Sequence, residues 1–319
     1  MVAFSARSSR EDRLVAAVWK MLWVTVSLAI AGTLAAAEYT RSLKADGRTR
    51  TYLVYVPHDY DRARPAAAVL AFHGGITNAR WMAEFSGLNE KAEAAGFIAV
   101  YPEGTGLRDT MLTFNVGHCC GYAQRNNVDD VAFVRALLHD LSRAVNLDPR
   151  RIYATGISNG GMMAYRLACE LSDRIAAIAP VGGPIGTHAC QPVRPVPVMH
   201  FHGSDDQFAR FEGGSGIGPS RVAFNSVDHT ISGWLKRNGC PGTAETTSFP
   251  DRVNDGTTAY RKRFAPCRDG AEVALVVIEG GGHTWPGRDP QRNSRLGKST
   301  KDISANDLMW EFFQRHPLR

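Results

Sequence analysis

A strand, a tight turn and a helix are predicted in direct succession by the stretch RIYATGISNGGMMAYRLACE, residues 151–170. Its turn, Gly156-Ile157-Ser158-Asn159-Gly160, fits the pattern G-x-S-x-G. Between a strand and a helix this pattern predicts a serine on a strained turn, with glycines on both sides that leave room for the backbone. The turn also places Ser158 at a helix N-terminus, where free N–H groups favour negative charge. We therefore predict Ser158 as a nucleophile; a capping serine in an ordinary glycine-rich turn is the alternative.

Strand-like and helix-like segments alternate along the rest of the chain. Mostly apolar runs without polar alternation suit parallel strands that are buried on both faces. They occur at 66–72, 175–181, 196–201 and 273–278, and the third of them includes His200. Apolar residues at helical spacing occur at 81–95, 129–145, 227–236 and 303–314. This order predicts an α/β fold with a mostly parallel central sheet and helices on both faces. In such sheets functional sites form beyond the C-terminal ends of the strands.

A histidine on a glycine-rich loop is the best candidate for the general base that a serine nucleophile needs. Gly280-Gly281-Gly282-His283 follows the last apolar run, and three glycines let the loop bend back over the sheet edge. With the chain order serine, acid, histidine, the acid falls in Gly203-Ser204-Asp205-Asp206. Either aspartate could serve; position favours Asp206, with Asp205 as a turn residue. His73 and His202 end strands just before glycines and are interpreted as structural histidines. His200 and His202 share one face of a strand, but a pair without a third ligand is weak evidence for a metal site.

Two backbone N–H groups are predicted to form an oxyanion hole. One belongs to Asn159, directly after the nucleophile, and the other comes from the loop His73-Gly74-Gly75 after the first long apolar run. We assign Gly75 as the second donor, with Ile76 as the alternative. Trp285, close to the predicted base, either lines the acyl pocket or holds its loop against the core.

The N-terminal residues 1–37 have the composition of an export signal. Basic residues precede the apolar run 21–34, and the small residues Ala35-Ala36-Ala37 follow it. We expect cleavage after Ala37, a single catalytic domain over 38–319, and a secreted protein, either extracellular or periplasmic. A retained membrane anchor is the alternative, although the apolar run is short for a membrane span.

Six cysteines, an even number, favour disulfides in an exported chain. Cys240 and Cys267 flank one connecting segment and are the preferred pair. Adjacent cysteines rarely bond to each other, because neighbouring side chains splay apart. The pairing of the other four stays open: Cys119, Cys120, Cys169 and Cys190.

Composition points away from several other classes of protein. The chain has 319 residues, 44% of them hydrophobic and 21% charged, which is ordinary for one large globular domain. The net charge is +6, but the basic residues form no dense stripe, so no nucleic-acid partner is expected. The sequence has no cofactor motif, and its cysteines and histidines lack the spacing of a zinc site, so no cofactor or metal is expected. No stable membrane partner is expected after signal cleavage.

Several motifs together resemble those of the polyhydroxybutyrate depolymerase and feruloyl esterase group of secreted α/β-hydrolases, in the neighbourhood of carbohydrate esterase family 1. The resemblance covers most of the chain after the predicted signal. The motifs are Phe72-His73-Gly74-Gly75, Cys119-Cys120-Gly121, Val128-Asp129-Asp130-Val131, Gly156-Ile157-Ser158-Asn159-Gly160-Gly161-Met162-Met163, His202-Gly203 followed by Asp206, and Gly281-Gly282-His283-Thr284-Trp285-Pro286-Gly287.

The resemblance implies a serine esterase with a triad of Ser158, Asp206 and His283. It favours Asp206 over its neighbour, since in this group the acid is the fifth residue counted from the histidine of the His-Gly pair. The implied substrates are feruloyl or acetyl esters of plant polysaccharides, or hydroxyalkanoate (polyhydroxybutyrate) oligomers. A serine peptidase of the same fold and a non-catalytic secreted polymer-binding protein are the alternatives.

The chain departs from the group near the expected substrate rim. Phe114 stands where the group often has a tryptophan, and Gln207-Phe208-Ala209-Arg210 replaces a stretch that is commonly more apolar. These differences affect the substrate more than the mechanism. Phe114 and Trp285 are therefore our candidates for substrate contact.

Overall fold

The computed structural model describes residues 1–2, 36–187, 189–218, 222–289 and 294–319. By its internal contacts the chain separates into Met1–Thr33 and Leu34–Arg319, and every element named below belongs to the second unit. Nearly all of the predicted export signal lies outside the described residues. The signal and the domain boundary after it therefore stay predictions.

Strands and helices alternate along the described chain. The strands are β1 (Ala37–Ala45), β2 (Arg48–Val56), β3 (Ala66–Phe72), β4 (Ile98–Pro102), β5 (Leu147–Ile157), β6 (Ala177–Val181), β7 (Val198–Gly203), β8 (Gly214–Ser215), β9 (Ala223–Phe224), β10 (Glu245–Ser248), β11 (Thr258–Phe264) and β12 (Val273–Glu279). The α-helices are α1 (Ala79–Ser86), α2 (Leu88–Ala95), α3 (Gly121–Arg125), α4 (Asp130–Ala144), α5 (Asn159–Glu170), α6 (Val227–Asn238) and α7 (Ala305–Arg315).

One large sheet organises the fold. Its strand order is β1-β2-β4-β3-β5-β6-β7-β12-β11-β10. The central strands, from β4 to β12 in this order, pair in parallel, while the pairings toward both edges are antiparallel. The predicted α/β fold with a mostly parallel sheet is confirmed, and the parallel strands end at the edge where Ser158 and His283 follow β5 and β12.

Helices cover both faces of the sheet. Side chains alternate along a strand, so Leu70 and Phe72 of β3 contribute to the core beneath α4, α5 and α6. Val69 and Ala71 of the same strand contribute to the opposite core, beneath α1, α2 and α7. Within the described ranges, none of the helices combines the length and apolarity needed to cross a membrane.

The helix predicted over 81–95 is two helices instead of one. Gly87 separates α1 from α2 with a φ of +59°, and its N–H donates to the carbonyl of Ala83, which ends the first helix. Residues other than glycine adopt this left-handed backbone conformation at a cost in free energy. A single glycine therefore overrides the apolar pattern that runs through both helices.

All six cysteines are paired in the structure. Cys240 bonds to Cys267, the pair that the sequence favoured. The expectation that adjacent cysteines stay apart is wrong for this chain: the Cα atoms of Cys119 and Cys120 are 3.1 Å apart and their side chains are bonded side by side. The third disulfide joins Cys169 to Cys190.

Candidate active site

The turn between β5 and α5 holds Ser158 in a strained conformation. Its φ of +57° and ψ of −122° lie in a region that residues other than glycine rarely adopt. Any side chain at Gly160 would collide with the carbonyl of Phe72 on the neighbouring strand β3. On the other side, the Ser158 N–H donates to the carbonyl of Val181 on β6 at 2.9 Å. The two neighbouring strands thus fix the turn and leave the serine half-buried at the strand ends.

The loop after β3 lies beside the start of α5. A Cβ built on Gly75 would be 3.7 Å from the Cβ of Asn159. The Ile76 N–H donates to the carbonyl of Leu112 at 2.8 Å, so it is not available to an oxyanion. The Gly75 N–H makes no hydrogen bond to any described residue. Of the two donors considered from this loop, the geometry leaves Gly75.

The backbone of residue 114 anchors the start of α5. The Asn159 side chain accepts a hydrogen bond from the Phe114 N–H at 2.7 Å and donates one to the Phe114 carbonyl at 3.0 Å. The side chain of Asn159 is therefore engaged away from the cavity, and only its backbone N–H remains for a substrate oxygen.

His283 and Asp206 form a buried hydrogen bond. The distance from His283 Nδ1 to Asp206 Oδ2 is 2.6 Å, and the two residues are 6% and 2% exposed. Asp206 Oδ1 accepts from the N–H groups of Phe208 and Ala209, at 2.8 and 2.9 Å. Burial opposes ionisation of Asp206, but His283 and the Ala209 N–H outweigh it, so the pKa of Asp206 lies below its usual value. Asp205, by contrast, is exposed, and its side chain accepts a hydrogen bond from the Ser204 hydroxyl at 3.1 Å.

One cavity of about 770 Å³ connects these elements, and both Ser158 and His283 line it. No hydrogen bond joins the Ser158 hydroxyl to His283 in the described structure, so the histidine–carboxylate link is formed and the serine–histidine link is not. In active sites without substrate such bonds are often long and shorten when the substrate binds. Two of the three side chains that the sequence selected therefore line one cavity, and the third, Asp206, is buried and bonded to His283.

Apolar side chains make up much of the cavity wall. On one side Trp81 stacks on Phe85 with ring centroids 4.3 Å apart, both from α1. On the other side Phe208 stacks on the His283 ring at 5.2 Å. The sequence analysis did not select these aromatic residues, although Phe208 lies only two positions after the acid. Further residues that line the cavity are Ile76, Met111, Tyr122, Met162, Phe224 and Leu296.

The two residues predicted to contact substrate are buried away from the cavity. Trp285 is 1% exposed, and its indole N–H donates to Asn306 at 2.9 Å, so it holds the His283 loop against α7. Phe114 is fully buried, and its ring packs on that of His73 at 4.6 Å. The structure therefore gives no support to substrate contact by Phe114. For Trp285 it favours the alternative role, in which the ring holds the His283 loop against the core.

The described residues offer no obvious metal site. No group of three His, Cys, Asp or Glu side chains among them is arranged to hold a metal ion. His200 and His202 on β7 are bonded to each other at 2.9 Å. Their outer nitrogens bond to the Tyr165 hydroxyl and the Ala209 carbonyl, which leaves neither ring a free nitrogen for a ligand.

Comparisons with known proteins assign the family. No protein-family model matches the chain. The chain is 31% identical over 295 residues to "Putative esterase NocK" of Nocardia uniformis subsp. tsuyamanensis, and the match covers 87% of this chain and 83% of that protein. The chain belongs to the esterase group related to carbohydrate esterase family 1. This esterase is also 28% identical over 241 residues to feruloyl esterase B of Piromyces equi, covering 73% of the chain but 42% of that longer enzyme.

Solved structures show the same fold. The acetyl xylan esterase from Aspergillus awamori superposes on the esterase with a TM-score of 0.56 at 15% identity, covering 77% of this chain and 94% of that one. Together with the relatives, this confirms the resemblance to the feruloyl esterase group and the α/β-hydrolase fold. The esterase is a carboxylic ester hydrolase, which decides against a non-catalytic polymer-binding protein.

Proposed function

We propose that this esterase is a secreted serine hydrolase that cleaves acyl esters of plant polysaccharides through Ser158, His283 and Asp206. The observation that carries the proposal is the buried 2.6 Å bond from His283 Nδ1 to Asp206, at the wall of the cavity that Ser158 also lines. A carboxylate at Nδ1 keeps the proton on that nitrogen and leaves Nε2 free to accept the serine proton.

Hydrolysis proceeds in two acyl-transfer steps. The Ser158 oxygen attacks the ester carbonyl while its proton passes to His283 Nε2, and the oxyanion accepts hydrogen bonds from the N–H groups of Asn159 and Gly75. His283 returns the proton to the leaving alcohol, and an acyl-enzyme remains. Water, deprotonated by His283, then attacks the acyl carbonyl. His283 returns this proton to the Ser158 oxygen as its bond to the acyl carbon breaks, which releases the acid and restores the free serine. Each oxyanion donor contributes roughly 3–4 kcal/mol to stabilising the transition state.

The cavity supports an acyl group with apolar or aromatic character. Its volume of about 770 Å³ lies within the range of small-molecule sites, and Trp81, Phe85 and Phe208 offer ring faces. Relatives named feruloyl esterase and a structural neighbour named acetyl xylan esterase support esters of plant polysaccharides as the substrate class. The three disulfides support secretion, since disulfides persist in oxidising compartments.

The decisive test of the triad is Ser158→Ala. We expect the turnover of a short-chain nitrophenyl ester to fall by about 10⁵-fold or more, and a fluorophosphonate probe to label the wild type but not the variant. Ser142→Ala changes an exposed serine on α4 and serves as the matched control, with unchanged turnover. Normal activity of the purified Ser158→Ala protein would rule out the mechanism.

A substrate panel tests the substrate class separately. Methyl ferulate and acetylated xylan should be hydrolysed with higher kcat/KM than hydroxybutyrate oligomers, and casein should not be cleaved. Preference for the hydroxybutyrate oligomers would move the substrate to polyesters and leave the triad intact. Efficient cleavage of casein would instead favour a peptidase.

A further inference from the structure

Two histidines on β7 are buried behind the proposed acid, and the mechanism above does not use them. His200 and His202 are 0% and 1% exposed, and they lie two residues apart, on the same face of the strand. His200 Nε2 lies 2.9 Å from His202 Nδ1. The Tyr165 hydroxyl lies 3.0 Å from His200 Nδ1, and His202 Nε2 lies 2.6 Å from the Ala209 carbonyl. These groups form a continuous hydrogen-bonded chain from α5 to the loop after β7.

One backbone carbonyl fixes the direction of every bond in this chain. The Ala209 carbonyl can only accept, so His202 Nε2 must carry a hydrogen and, in the neutral ring, Nδ1 must accept. His200 Nε2 must then donate to it, and His200 Nδ1 must accept. The Tyr165 hydroxyl is consequently the donor at the far end. Both imidazoles are therefore held as the neutral Nε2–H tautomer.

Electrostatics agree with neutral groups throughout. Burial lowers the pKa of His200 well below its usual value and also lowers that of His202, against the attraction of Asp206. Burial raises the pKa of the Tyr165 hydroxyl well above its usual value. The ionisable groups that face these rings are Asp206 and, beyond it, His283. Neutral histidines behind Asp206 leave its negative charge to interact with His283.

The hydrogen-bonded chain ends at Ala209, a residue that also donates to the acid. The carbonyl of Ala209 accepts from His202, while the N–H of the same residue donates to Asp206 Oδ1 at 2.9 Å. His202 Nε2 also lies 3.5 Å from Asp206 Oδ2, the oxygen that bonds to His283. Displacement of the His202 ring would therefore displace both the Ala209 loop and the environment of the carboxylate.

We propose that Tyr165, His200 and His202 are positioning residues that orient Asp206 toward His283 through Ala209. Tyr165 lies on α5, which begins directly after Ser158. The hydrogen-bonded chain therefore connects the helix of the nucleophile with the loop of the acid through the core. The proposal rests on the triad proposed above and names three residues that reach the reaction only through Asp206.

Two Tyr→Phe variants test one end of the chain. Tyr165→Phe removes the donor to His200, whereas Tyr153→Phe removes a buried hydroxyl that has no hydrogen-bond partner in the described structure. We expect Tyr165→Phe to lower kcat about tenfold with little change in KM, since a displaced catalytic group loses rate rather than ground-state binding. Tyr153→Phe should keep the wild-type kcat. Equal kcat values in the two variants would contradict the proposal.

Two variants at His202 test the other end. His202→Gln places an amide N–H near the position of Nε2, whereas His202→Leu has no donor. We expect His202→Leu to lower kcat about 10- to 100-fold and His202→Gln to recover most of that loss. If both variants were destabilised equally and retained equal kcat, the role would be structural only.

A spectroscopic test uses the wild-type protein and does not depend on catalysis. In ¹⁵N-labelled protein, His200 and His202 should both appear as neutral Nε2–H tautomers from pH 5 to pH 8. An Nδ1–H tautomer in either ring would overturn the proposal, whether or not the variants fold. Failure of the Ser158→Ala test with these tautomers present would refute the triad but not the hydrogen-bonded chain.

Discussion

The nucleophile side of the cavity and the acid–base side are held in place by different forces. Ser158 is positioned by close backbone packing, with Gly160 against the carbonyl of Phe72 and a strained φ of +57°. Asp206 is positioned by hydrogen bonds from His283 and two backbone N–H groups, in a setting that burial alone would make unfavourable for charge. The first side should therefore be sensitive to added volume, and the second to changes of polarity and protonation.

Among the variants that compare the two sides, the largest effect is expected on the hydrogen-bonded side. Asp206→Asn preserves shape but can present an amide N–H to His283 Nδ1, which selects the wrong tautomer, so kcat should fall by about 10⁴-fold with little change in KM. Asp205→Asn is the matched control, because that side chain is exposed and makes no bond to His283. Steady-state kinetics on a nitrophenyl ester measure both. A larger loss of kcat in Asp205→Asn than in Asp206→Asn would show that Asp205, not Asp206, is the acid of the triad.

On the packed side, added side-chain volume should destabilise the fold. A single methyl group in Gly160→Ala meets the Phe72 carbonyl, and backbone cannot move aside as a side chain does. We expect the free energy of unfolding to fall by about 3 kcal/mol or more. Gly242→Ala is the control, since no atom lies within 4 Å of the added carbon there. Denaturant unfolding compares the two, and similar stability of both variants would contradict this view of the turn.

Lowering the pH should reduce the free energy of unfolding, because both sides of the cavity contain buried neutral histidines. Burial lowers the pKa of His73, beside the oxyanion loop, to about 4, and it also lowers the pKa values of His200 and His202. These rings stay neutral in the folded state but take up protons in the unfolded chain below about pH 6.5, so stability is lost as the pH falls from about 7 toward 4. His73 alone should account for about 2 kcal/mol between pH 7 and pH 5.

Urea titrations at pH 7 and pH 5 measure this loss. His73→Gln, which cannot take up a proton, should reduce the difference between the two pH values by about 2 kcal/mol. Identical unfolding free energies at both pH values in the wild type would show that these histidines are not buried as neutral groups.

The smallest expected effect concerns the aromatic wall. Phe208→Ala removes the ring that stacks on His283 and lines the cavity. The kcat/KM for methyl ferulate should fall about fivefold, in line with the energy of an aromatic contact, while that for a nitrophenyl acetate ester changes less. An equal loss for both esters would mean that Phe208 orients His283 rather than the acyl group.

The buried parts of the fold could be predicted from the sequence. The run 66–72 corresponds to β3 without any shift of its ends, because a strand covered on both faces needs unbroken apolar residues. The sequence also selected Ser158, Asp206 and His283, since each follows a central strand and the C-terminal strand ends meet at one edge. The edge strands β10 and β11 were missed because one is fully exposed and the other carries several charged residues.

The cavity wall could not be predicted in the same way. Trp285 adjoins the proposed base in sequence, yet its indole N–H is bonded to Asn306, 21 residues further on. Phe208 lies in the loop after β7 and Trp81 lies on α1. Only the tertiary packing brings the two residues to one cavity. Proximity along the chain indicates which loop carries a residue, but not which way its side chain points.

The donors behind Asp206 all point the same way, from Tyr165 toward Ala209. The His202 nitrogen nearest to the carboxylate already carries a hydrogen, so a proton on Asp206 would find no acceptor in the core. During turnover, protons of the triad can then exchange with bulk water only on the side of His283 that faces the cavity. In mixtures of light and heavy water, the rate should vary linearly with the deuterium fraction, as it does when a single proton moves in the rate-limiting step.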